Sequence, residues 1–133
     1  MVSRIKTQLY DLITGLGYRV ADNRNNQEDL PWLLIRTGGH SRTDMFDLRY
    51  DIITINVDIF SGYSGEKEIL EIAENIANHL PDLRAQNETI IYAEQKTCKV
   101  LDDNGTGPVR KHGFLSYRFL CSVGLEDKEE AEE

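Results

Sequence analysis

The sequence predicts an α+β domain in which two helices pack on one face of a largely antiparallel sheet of about four strands, in the order α-β-β-α-β-β. Three observations predict it. Two segments carry apolar residues at helical spacing on one side only, other segments alternate apolar and polar residues, and the strands come in consecutive pairs instead of alternating with helices. A mixed sheet stays compatible with the same pattern. The chain has 133 residues, 40% of them hydrophobic and 29% charged, which suits a single domain with one core.

In the first helix Ile5, Leu9, Leu12, Ile13 and Leu16 form the apolar stripe, with Ser3 as N-cap and Gly15 and Gly17 near the stop. Residues 22–29 carry no apolar side chain and are rich in turn formers, which predicts a surface loop. Pro31 then opens a short strand, Trp32-Leu33-Leu34-Ile35-Arg36, bounded by Gly38 and Gly39. Residues 38–50 are too long for an ordinary hairpin turn and predict a long loop, part of which, near Met45 to Leu48, extends the strands. The clearest alternation is in 51–61: Ile53, Ile55, Val57 and Ile59 point one way, Thr54, Asn56 and Asp58 the other.

In the second helix Ile69, Ile72, Ala73, Ile76, Ala77 and Leu80 form the stripe, Pro81 closes it, and Glu66 and Glu68 suit the dipole of its first turn. Residues 88–100 predict a strand that starts apolar at Ile90, Ile91 and Tyr92 and turns polar through Glu94 to Lys99. Asn104-Gly105 and Gly107-Pro108 mark a second long loop over 101–113. Leu115, Tyr117, Phe119, Cys121, Val123 and Leu125 then alternate with Ser116, Arg118 and Ser122 in a last strand. The domain is predicted to span 1–125, and 126–133, with six acids and one lysine, to form a disordered acidic tail. The second sheet face, with Thr54, Asn56, Asp58, Ser116, Arg118 and Ser122, suits either water or a polar subunit interface.

Lys and Arg number 15 against 23 Asp and Glu, and the net charge of -8 argues against nucleic acid or an anionic membrane as the main partner. No apolar run reaches the roughly 18 residues of a spanning helix, and Met1-Val2-Ser3-Arg4 leads into an amphipathic segment unlike a signal peptide, so a cytoplasmic location is expected. Cys98 and Cys121 lack metal spacing, and alternation puts Cys121 on the apolar face; pairing of the last two strands would bring the two sulfurs near each other, as reduced thiols.

Asp82, followed by Glu94 and Lys96, imitates the spacing of a metal-dependent nuclease, in which two carboxylates hold Mg²⁺ and the lysine helps activate water. The same residues read equally as a helix stop and a strand end. Asp102, Asn104 and Thr106 echo half a calcium loop, but Gly113 stands where a bidentate glutamate is required. His40, His79 and His112 are not at zinc-ligand spacing and read as surface or loop histidines. Asn87-Glu88-Thr89 and Asn104-Gly105-Thr106 match glycosylation sequons that are meaningless without secretion. No nucleophile, base and oxyanion donors converge, so no catalytic, cofactor or metal residue is assigned and a non-enzymatic role is expected. The loops are then the contact elements: Arg42, Met45, Phe46 and Arg49 in the first, Asp102, Asp103, Arg110 and Lys111 in the second. Met45 and Phe46 read equally as partner anchors or as cover for a sheet edge.

The stretch Pro31-Trp32-Leu33-Leu34-Ile35, the strand from Tyr50 through Ile53, Ile55, Val57 and Ile59 to Ser61, and the Ile- and Ala-rich helix from Glu68 to Leu80 resemble the tail terminator, or tail completion, proteins of long-tailed bacteriophages. The resemblance covers roughly 3–125; the 101–113 loop and the acidic tail have no counterpart in the family pattern. It implies a virion assembly protein whose subunits form a ring, a hexamer, on the finished tail tube, stop its polymerisation and offer the surface that joins the head connector. The implied partners are other copies of the chain, the tail tube protein and the head connector or stopper protein, first in the host cytoplasm and then in the virion at the head-tail junction. A neighbouring head-tail connector component, the nuclease above and a small peptide-binding regulatory module are the alternatives.

Overall fold

The structure, a computed structural model, describes residues 2–21, 29–45 and 48–123. Most of the loop expected at 22–29, Phe46 and the acidic tail lie outside the described residues. The elements are α1 (Val2–Gly15), β1 (Arg19–Ala21), β2 (Trp32–Met45), β3 (Leu48–Ser61), α2 (Lys67–Gln86), β4 (Ile90–Asp102) and β5 (Lys111–Val123). They build a five-stranded sheet in the order β1-β2-β3-β5-β4, parallel between β1 and β2 and antiparallel elsewhere. The class is α+β as expected, but the sheet has five strands and is mixed. The additional strand, β1, has three residues, too few for alternation to be visible.

One apolar cluster joins both helices to one sheet face. Ile5, Leu9 and Ile13 of α1 and Ile69 and Ile76 of α2 are fully buried against Ile53, Ile55, Val57 and Ile59 of β3 and Leu115, Tyr117, Phe119 and Cys121 of β5. Gly17, at φ 99°, takes the left-handed conformation that ends α1, and the Tyr18 amide donates to the Ile13 carbonyl at 3.4 Å. Ser3 lies inside the first turn of α1 and not before it. Gly113 seats α2 on the sheet: a Cβ there would lie 2.5 Å from Ile69 Cγ2. At the far end of α2, Asn87 donates to Gln8 Oε1 of α1 at 2.9 Å and accepts from the Thr89 amide at 3.1 Å, tying both helices to the start of β4.

Three expectations need correction. Residues 38–45 and 48–50 are strand and not loop: β2 and β3 stay in register out to Met45 opposite Leu48, with one irregularity between Thr37 and Gly39. The 101–113 loop shrinks to 103–110, because Asp102 and Lys111 still pair. Pro81 does not close α2, which runs to Gln86; one backbone donor is lost, but Leu83 beyond it is 1% exposed and its burial holds the last turn. Among the described residues no helix is long and apolar enough to cross a membrane.

Candidate functional site

With α1 and α2 on one face, no helix among the described residues lies over the other face of the sheet. Residues opposite one another in the ladder place Trp32, Leu34 and Arg36 of β2, Ile52, Thr54, Asn56, Asp58 and Phe60 of β3, and His112, Phe114, Ser116, Arg118 and Leu120 of β5 on it. This bears out the shared face expected for Thr54, Asn56, Asp58, Ser116 and Arg118. Ser122 follows the same alternation.

At one end of this face the side chains form a continuous network. Trp32 stacks on Phe60 with centroids 4.1 Å apart, and Phe60 stacks on His112 at 4.6 Å. His112 Nε2 lies 2.9 Å from Asp58 Oδ1, while Arg36 donates from Nε to Asp58 Oδ2 at 2.6 Å and from its terminal nitrogen to Oδ1 at 3.2 Å. The Arg36 guanidinium also sits 5.7 Å from the centre of the Phe114 ring. Asp58 is 4% exposed. Burial pushes its carboxyl up, but the hydrogen bonds from His112 and Arg36 and the Arg36 charge outweigh it, so Asp58 stays below the ordinary value of 3.8. The result is a stiff, ion-paired aromatic surface.

A second buried carboxylate serves the helix side. Asp51, fully buried opposite Cys121, accepts from Arg42 Nε at 2.8 Å and from a terminal Arg42 nitrogen at 3.3 Å, and His40 Nε2 lies 3.5 Å away. Burial pulls Asp51 up, and Arg42 and His40 bring it below the ordinary range. Arg42, expected as a contact residue, is therefore engaged inside the subunit.

The other expected contact residues fall into two groups at opposite ends of the sheet, about 40 Å apart along the strands. Where β2 ends and β3 begins, Arg49 Nε donates to Asp44 at 2.9 Å and Met45 is the last residue of β2. At the other end, Lys111 pairs with Asp102, Asp103 Oδ1 accepts from the Gly105 amide at 2.9 Å, and the Arg110 amide donates to the Ser61 carbonyl at 2.8 Å. Asp102 and Asp103 thus shape the hairpin end.

The structure does not assemble the nuclease constellation. Asp82 is exposed on α2, in the helix layer, whereas Glu94 lies opposite Arg118 on the other sheet face, 3.7 Å from Lys96 Nζ. Among the described residues no group of three or more His, Cys, Asp or Glu is placed to hold a metal. The two cysteines are also apart: Cys98 pairs with Leu115 and Cys121 with Ile90, so register separates them although β4 and β5 do pair. Burial pushes the Cys121 thiol up to about 12, whereas Cys98 is exposed.

Reading by sequence missed the network around Asp58. Its one signal was an Asp beside Phe60 in an otherwise regular strand; His112, 54 positions away, reaches it only through the β3–β5 register. Compared with models of known protein families and with curated proteins, the chain matches none of them.

Proposed function

We propose that the chain is a non-enzymatic assembly subunit of a long-tailed phage: copies close into a ring on the finished tail tube, end its polymerisation and receive the head connector. The observation that carries this reading is the one-sided packing of the helices, which leaves one molecule with two broad, unlike surfaces. A ring is built from head-to-tail contacts, so every subunit needs two different patches. The helix layer offers one and the stiff face around Asp58 and Arg118 the other. A preorganised surface also loses little entropy on contact, which suits a fixed symmetric target such as a tube end.

The resemblance in 3–125 supports the choice of that target, and the placement of Asp82 in the helix layer with Glu94 on the other sheet face favours it over the nuclease alternative. Electron microscopy of tail tubes polymerised with and without the protein tests the reading. One ring at the tube end and a fixed tube length are expected; bare ends and uncontrolled length would overturn it. A connector component would join heads to tails without changing tube length.

A further inference from the structure

We infer that neighbouring copies meet with the helix-free face over β4 and β5 of one against the outer stripe of α2 of the next, a proposal that rests on the ring reading above. Both patches combine exposed apolar side chains with charges that, once the pairs Lys96–Glu94 and Lys67–Glu71 are set aside, are of a single sign. On the helix-free face Tyr92, opposite Leu120, is 49% exposed and Leu101, opposite His112, is 54% exposed. Beside them stand Lys99, opposite Phe114, and Arg118, opposite Glu94; neither forms an ion pair with a described residue. Glu94 is already occupied by Lys96 and by the Tyr92 hydroxyl, which donates to it at 2.7 Å.

Helical spacing aligns Leu70, Glu74, Asn78 and Asp82 along the solvent side of α2, all of them exposed. Leu70 is 46% exposed, and Glu74 and Asp82 form no ion pair with a described residue. Glu71 is held by Lys67 at 3.9 Å, and Arg84 lies on the flank, about 100° around the helix from the middle of the stripe. At the N-terminal end of α2 a hollow of about 410 Å³ beside Tyr63, Lys67 and Glu71 gives the stripe room for a projecting side chain. Two cations with no ion pair among the described residues, with Tyr92 and Leu101, thus match two anions with none among them, with Leu70.

A contact through the face is favoured over pairing at the open edge of β4. That edge is broken by irregularities between Ile90 and Tyr92 and between Gln95 and Thr97 and carries Lys96, features that resist edge-to-edge addition of a strand. The contact is heterologous, and it closes into a ring when successive copies are inclined to one another.

Charge reversal tests the assignment in the full-length chain. One variant carries Lys99→Glu and Arg118→Glu, a second Glu74→Lys and Asp82→Lys. All four sites are exposed on the surface, and melting temperature serves to show that both variants fold. Ring occupancy on tail tubes is scored by electron microscopy, and self-association of the protein alone by sedimentation at high concentration. Each variant alone should lose both signals by about tenfold or more. An equimolar mixture should recover them. The acidic face of the first variant then meets the new lysines on α2 of the second, and the unchanged Lys99 and Arg118 of the second meet the unchanged Glu74 and Asp82 of the first.

Rings and self-association that persist in both variants would overturn the contact and leave the ring reading standing. Loss without recovery in the mixture would overturn it in favour of a different occupant, the tube protein or the acidic residues 126–133. If the wild-type protein leaves tubes uncapped, the ring reading falls, and the sedimentation series still decides the contact between copies.

Discussion

On the helix-covered face of the sheet, Ile53, Ile55, Ile59, Leu115 and Phe119 are sealed by α1 and α2, whereas on the other face Asp58 reaches 4% exposure with no helix among the described residues above it. The two faces achieve burial by different physics. One excludes water by volume, and its stability follows how completely the space is filled. The other excludes water by mutual cover: Trp32, Phe60 and His112 stack in a row across the strands while Arg36 and His112 satisfy the carboxylate beside them. The first is tolerant of which apolar residue fills it, and the second depends on every member being present.

Truncation on the covered face should have the largest effect. Phe119→Ala removes a fully buried ring and is expected to cost about 3–5 kcal/mol in chemical denaturation, enough to approach the whole stability of a small domain. An equal effect from Phe114→Ala, half-buried on the open face, would break the distinction between the faces.

Asp58→Ala should cost about 2 kcal/mol, less than the loss of a wholly buried pair, because Arg36 is 46% exposed on its side chain and regains water. The same group gives a pH signature. Asp58 and Asp51 lie below the ordinary carboxyl value of 3.8, so their contribution is fully present above that pH and is lost as pH falls below it through the lowered values. Asp58→Asn should flatten that acid limb, measured by denaturation from pH 6 down to about 2.5. A limb as steep as that of the wild type would show that Asp58 contributes nothing to it.

Gly113→Ala should cost about 1–2 kcal/mol, since its methyl group would push Ile69 and the start of α2 off the sheet. Pairing it with Ile69→Ala should return part of the loss. The smallest effect belongs to Tyr117→Phe. The Tyr117 hydroxyl is buried with no hydrogen-bond partner among the described residues, so its removal should change stability by less than about 1 kcal/mol, in either direction, and a larger loss would reveal a partner for it.

The covered face was legible because burial there follows simple periods. Ile53, Ile55, Val57 and Ile59, and Leu115, Tyr117, Phe119, Cys121 and Val123, recur at every second position, and both helices show one stripe, so the layer, the two helices and the burial of Cys121 could be read directly. The edges of the sheet were not. Residues 38–45 look like a loop because His40 and Arg42 occupy inward positions, where apolar residues are expected, in order to meet Asp51. Asp51 itself has the parity of Ile53, Ile55 and Val57, and that shared parity was the available clue to its burial. Of the contact residues chosen from loops, Arg42, Arg49 and Lys111 are paired within the subunit, which nothing in their local sequence signalled. Propensity marks where a chain bends; it does not mark which charges a ladder will neutralise.

Asn87, the C-cap of α2, has a mechanical consequence. Its side chain holds Gln8 on one side and Thr89 on the other, so α1, the end of α2 and the first rung of β4 share a single fastening. Tension applied to either helix is passed through that joint to the other, and the layer yields as one plate instead of peeling away helix by helix.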